Sequence, residues 1–162
     1  HTIKDLLALP TPRGVIVGAK FALTLLWIMG LTLTIFVVGL GVGTAVDIPG
    51  WTSTLAWKSF WSMLLIAFLT AMLMSVVALI ASAGRGYLPP LGWAFLTMAL
   101  SQIMAVMGWG EWFPWAVPSL LSGFSGPRTE PLSVHSYLMV ALVCILGLAG
   151  TFLWWRSADQ TR

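Results

Sequence analysis

Four stretches of the chain, residues 21–46, 59–83, 91–109 and 134–155, are dominated by apolar side chains and contain no Asp, Glu, Lys or Arg. A hydrocarbon core of about 30 Å needs about 20 helical residues at ~1.5 Å rise each, so each stretch predicts a membrane-spanning helix. Turn residues separate them: Asp47, Pro49 and Gly50, then Gly84, Gly86, Pro89 and Pro90 within residues 82–90. The third connector, residues 110–133, is too apolar for a free loop, with Trp112, Phe113, Trp115, Val117, Leu120 and Leu121. It predicts a short outer helix, re-entrant or interfacial, which Pro114 and Pro118 keep from continuing the preceding span. The first 20 residues set Lys4, Asp5, Arg13 and Lys20 beside Ile3, Leu6, Leu7 and Leu9. They predict a short amphipathic helix, broken by Pro10 and Pro12, that lies along the inner interface or touches a partner.

Composition makes the membrane reading compelling. The 162 residues are 59% hydrophobic and 8% charged, with a mean hydropathy of +0.94. A soluble domain carries roughly a quarter charged residues. A chain this short cannot enclose so much apolar surface, so lipid must solvate much of it.

The net charge of +3 adds topology rather than a polyanionic partner. Its eight Lys and Arg are scattered singly, which argues against nucleic acid. With the N-terminal stretch inside, Lys4, Arg13, Lys20, Arg85, Arg156 and Arg162 are cytoplasmic, and only Lys58 and Arg128 lie outside. Trp51, Trp57, Trp61, Trp109, Trp112 and Trp115 then gather at the outer boundary, and Trp93, Trp154 and Trp155 at the inner one. Trp27 alone falls outside this frame. Both ends of the chain are expected in the cytoplasm, in a cell membrane. The opening residues lack the basic and then apolar pattern of a signal peptide, and a piece of a longer protein is expected.

Chemistry is sparse. There is no Gly-x-x-x-x-Gly-Lys-Ser/Thr loop, so ATP hydrolysis is not assigned to this chain and no cofactor is expected in it. Gly39-Leu-Gly-Val-Gly43 fails the dinucleotide spacing and reads instead as small residues that let membrane helices approach closely. Cys144 is a lone thiol in an apolar run. His1 and His135 have no second ligand at helical spacing, so no metal site is expected, and His135, beside Ser133 and Ser136, reads as an interface residue. Glu111 and Glu130 share the outer connector, and nothing in the sequence brings them together. Polar groups inside membranes point to transport paths. Those present are mild: Thr24, Thr32 and Thr34, then Thr70 and Ser75, then Thr97, Ser101 and Gln102. Gln102 is the first candidate for a path-facing or interhelical contact, and Glu111 is a candidate for meeting cargo at the outer exit. The uncharged spans disfavour an ion-coupled carrier and suit an amphiphilic or lipid-like cargo. An intramembrane enzyme is disfavoured because no paired catalytic groups occur in the spans.

In the segment from His1 to Lys20, Leu6, Leu7, Pro10, Pro12, Arg13 and Lys20 form a leucine pair, a proline-arginine turn and a lysine leading into a span. This resembles the ABC type-two permeases, in particular the bacitracin-export and sodium-export permease group. The resemblance extends to the layout, three further spans with a hydrophobic outer element before the last. It implies that two more spans lie upstream of His1. It also implies that residues 1–20 form a coupling helix docking on an ATP-binding cassette subunit, through Asp5, Leu6, Leu7, Leu9, Pro12 and Arg13.

The expectation is therefore an all-α integral membrane protein with residues 1–20 cytoplasmic and residues 21–162 forming the transmembrane domain. It is expected to act as the permease of an ATP-driven exporter of a peptide antibiotic, lipid or other hydrophobic compound. It would work as a dimer of membrane subunits, in contact with lipid, with ATP on the partner. A membrane anchor or assembly subunit is the alternative.

Overall fold

The computed structural model describes residues 13–46, 50, 52–84, 86–126 and 131–157. Four helices in it are long and apolar enough to cross a bilayer: α1 Arg13–Ala45, α2 Ser53–Ala83, α3 Leu88–Val106 and α5 Val134–Ser157. Between α3 and α5 lie two 3-10 turns, Gly110–Trp112 and Pro114–Ala116, and the short helix α4, Val117–Leu121. No strand occurs among the described residues.

The helix ends follow local chemistry. Helix α1 starts at Arg13, eight residues ahead of the predicted span, because residues 14–19 carry no charge or proline to interrupt it. Residues 13–20 thus continue the span, and the rest of the expected amphipathic helix, with Asp5, Leu6, Leu7, Leu9 and Pro12, lies outside the described residues. Helix α2 starts at Ser53 rather than 59, since Thr52 caps it by accepting a hydrogen bond from Leu55 N at 3.2 Å. Lys58 consequently sits within α2, on an exposed face. Helix α3 carries Pro89 and Pro90 in its first turn, where a missing N–H leaves no ladder bond unmade.

Residues 107–109, expected to extend the third span, turn back instead. Gly108 has φ +79°, a conformation that L side chains rarely adopt. Gly110 then passes so close to α3 that a Cβ there would lie 2.9 Å from Leu120 Cδ1 and 3.1 Å from Ala105 Cα. The chain re-enters the bundle at this point.

The interior is small and the outside apolar. Leu69 and Leu73 near the middle of α2, Val140 of α5 and Val117 of α4 form the core, with Trp115, Tyr137 and Val143 packed against it. Large side chains such as Leu26 (71% exposed) and Ile35 (61%) of α1 face outward, as expected where lipid is the solvent. Conversely, Ser75, Thr97, Ser101, Ser136 and Thr151 are buried. Membrane helices approach closely through small residues, because lipid supplies no hydrophobic drive for bulky ones to associate. That approach is made by α2 and α5. A Cβ on Gly147 would collide with Ser75 Oγ and stand 2.8 Å from Ser75 C and Val76 N. Of the two glycines read as such a contact, Gly39 has nothing within 4 Å of an added Cβ while Gly43 is buried, and α5 makes its own close approach through Gly147 and Gly150.

Hydroxyls within the spans are mostly satisfied by their own helices. Thr24, Thr32, Thr34, Thr70, Thr97 and Ser101 each donate to a backbone carbonyl three or four residues earlier, at 2.7–2.9 Å. This makes them inexpensive in an apolar medium and removes most of their value as markers of a path.

Candidate functional site

The segment from Gly110 to Leu121 is the architectural centre. Irregular backbone survives at membrane depth only where its polar groups find partners and protein surrounds it. Both conditions hold. Trp109 N donates to Met104 O at 2.9 Å, Trp112 N to Trp109 O at 3.0 Å, Phe113 N to Gly110 O at 3.2 Å and Ala116 N to Phe113 O at 2.9 Å. Pro114 and Pro118 have no N–H to satisfy. Ala116 and Val117 are fully buried. The segment thus folds back into the bundle and joins its core through Val117. It carries Trp115 inward to meet Trp93 edge to face, with centroids 5.6 Å apart. The expected placement of these two tryptophans at opposite boundaries is corrected by this contact, whose cause is the depth the segment reaches.

Glu111 ties the segment to the last span. Ser133 Oγ donates to its carboxylate at 2.7 Å, and Ser136 Oγ donates to its backbone carbonyl at 2.9 Å. His135 Nε2 lies 4.0 Å from the carboxylate, too far for a hydrogen bond, while its ring stacks on Trp112 at 4.4 Å. His135 is thus at an interface between elements. Glu111, read from sequence as a candidate exit contact, is engaged in this latch, and Glu130 lies outside the described residues.

Two cavities flank the core. The first, about 490 Å³, lies between α2, α3 and the re-entrant segment. Thr70, Thr97, Ser101, Gln102 and Ser119 line it among apolar neighbours. Gln102 Oε1 accepts from Ser125 Oγ at 3.5 Å, and Ser125 is 3.2 Å from Ser119 Oγ. Gln102 is the one amide on its wall, and its neighbours' hydroxyl protons are largely turned to their own backbones. The structure brings Gln102 to the re-entrant segment, and holds Glu111 in the latch against α5.

The second cavity, about 670 Å³, is an open groove between α1, α2 and α5, lined chiefly by apolar side chains including Phe21, Ile28, Met72 and Leu148. Its polar end is built by Lys20, Ser82 and Trp155. The Lys20 ammonium sits 5.0 Å from the Trp155 ring centroid, and Trp155 Nε1 donates to Ser82 Oγ at 3.0 Å. Residues 20, 82 and 155 have no periodic relation, so no sequence signal announces this site; Lys20 was legible as a topology marker and as the lysine leading into the first span.

A bundle of four spans folded around a re-entrant element, with cavities in its walls, defines a multi-pass integral membrane protein. Comparison with known proteins makes the class specific. The family model described as ABC-2 family transporter protein matches residues 1–101, well over half of the chain. The chain belongs to the ABC-2 transporter family and is a membrane permease subunit of an ABC transporter. It is similar to the bacitracin transport permease protein BCRB of Bacillus licheniformis, with 28% identity over 159 residues, covering 98% of this chain and 76% of that relative. No solved structure gives a significant match.

Proposed function

We propose that this permease exports an amphipathic or hydrophobic compound, of the peptide-antibiotic or lipid kind, across the cell membrane, driven by ATP hydrolysed on a separate cassette subunit. The observation that carries the reading is the similarity to a bacitracin transport permease along almost the whole chain. The uncharged spans agree with it, since ion-coupled carriers keep ionisable groups near mid-membrane and these helices have none there. Two membrane subunits pair, with the ends of this chain in the cytoplasm. The segment ahead of α1, together with the first residue of α1, meets the ATPase, Leu6, Leu7 and Leu9 supplying an apolar anchor and Asp5 and Arg13 a polar rim beside Pro12. A permease without a nucleotide loop of its own needs such a rigid projection to receive motion from the subunit that has one.

The test is a pull-down of the full natural protein from its own membrane in mild detergent. A cassette ATPase is expected to co-purify with the native sequence and to be lost from Leu6→Asp/Leu7→Asp at equal membrane abundance. An ATPase retained by the double variant refutes the docking role. If no ATPase is recovered under conditions that keep other transporter complexes intact, the ATP-driven reading fails. Labelling that finds Arg85 outside the cell would overturn the orientation.

A further inference from the structure

We propose that the groove between α1, α2 and α5 is a binding site for an anionic membrane phospholipid, its acyl chain along the apolar walls and its phosphate at Lys20. This goes beyond the transport reading and does not depend on it, because binding here is independent of whether the bound molecule moves. Size is the first argument. At about 670 Å³ the groove lies within the roughly 300–1,000 Å³ of sites that enclose small ligands. Polarity is the second. The walls are largely apolar, with the small hydroxyls of Thr24, Ser75 and Thr151 among them, no Asp or Glu of the described residues lines them, and the one charge stands at the end where Lys20, Ser82 and Trp155 meet. That distribution has the shape of an amphiphile.

The chemistry of the polar end selects the sign of the headgroup. Lys20 is exposed and has no carboxylate partner among the described residues. Its ammonium is held over the Trp155 ring, which is itself fixed by the hydrogen bond to Ser82. Ser82 Oγ accepts that bond and makes no other among the described residues, so its proton is available to a phosphate oxygen. An ammonium and a hydroxyl donor that share one indole as neighbour complement a phosphate. Depth agrees as well. Lys20 lies in the first part of α1, Ser82 and Trp155 at the ends of α2 and α5, where a tryptophan and a snorkelling lysine meet lipid headgroups. A zwitterionic lipid brings its own cation to this spot and gains less. Basic pockets between membrane helices recognise anionic headgroups in this way.

One lysine near the surface favours an anionic headgroup about fivefold. The experiment places the full protein with its partner subunits in nanodiscs of mixed phosphatidylglycerol and phosphatidylcholine. Lipids retained after mild delipidation are counted by native mass spectrometry, and motionally restricted spin-labelled lipid is measured in parallel. Wild type is expected to retain phosphatidylglycerol about fivefold over phosphatidylcholine. Lys20→Gln should bring the two to near parity without changing the total, Lys20→Arg should keep the preference, and Ala78→Phe, which fills the groove, should lower retention of both. Equal retention by wild type, or an unchanged preference in Lys20→Gln, overturns the proposal. So does unchanged retention in Ala78→Phe, the result expected if another protein segment covers the groove.

Discussion

Gly147→Ala tests the packing on which the bundle depends. An added Cβ would collide with Ser75 Oγ and stand 2.8 Å from the backbone atoms Ser75 C and Val76 N. The hydroxyl can rotate away, but backbone cannot, so α2 and α5 must separate. Overpacking a tight interface costs about 1–3 kcal/mol, and the upper part of that range applies because rigid atoms obstruct. Replacing a helical glycine returns about 0.5–1 kcal/mol, leaving a net loss of about 1–2 kcal/mol. Two controls set the scale. Gly150→Ala meets only the flexible Leu79 tip, Cδ2 at 2.8 Å, and should be close to neutral. Gly30→Ala meets nothing within 4 Å and should be neutral or slightly stabilising. The assay is reversible unfolding in mixed micelles by added SDS, followed by circular dichroism. The expected order of stability is Gly30→Ala, wild type, Gly150→Ala, then Gly147→Ala well below. Equal stability of the Gly147 and Gly30 variants would refute the reasoning, and a larger loss at Gly150 would refute the distinction between backbone and side-chain obstruction.

The latch yields a second expectation: Ser136→Ala removes the fully buried hydroxyl that donates to the Glu111 carbonyl and should lose about 1 kcal/mol in the same titration. Glu111→Gln keeps that carbonyl and turns the charge-assisted bond from Ser133 into a neutral one, so transport should stay within about twofold and stability should fall by about 1 kcal/mol. A change of cargo preference at unaltered stability would show instead that Glu111 meets cargo. In the cavity between α2, α3 and the re-entrant segment, Gln102→Leu removes the one wall amide; stability should change by less than about 1 kcal/mol while transport of a polar-headed cargo drops, and unaffected transport would exclude this wall from the path.

Most of the membrane architecture follows from local properties, and for that reason it is visible in the chain itself. An uncharged run of residues such as 134–155 is long enough to cross a bilayer whatever its neighbours do, and Gly84 ends one helix while Pro89 and Pro90 open the next by their own stereochemistry. Even the outer element showed itself, because Trp112, Phe113 and Trp115 are too apolar for water. Its depth did not. Hydrophobic side chains such as Trp115 are equally content at an interface or in a core, and only the close approach of Gly110 to Ala105, with the latch at Ser133 and Ser136, draws the segment inward. The uniformly apolar spans also hide which face packs. Gly39 looks as suited to close contact as Gly147, and Gly147 makes it because Ser75 stands opposite. Span number, length and polarity are set residue by residue. The cavities, the latch and the Lys20, Ser82 and Trp155 cluster join positions tens of residues apart, and so exist only once the helices have met.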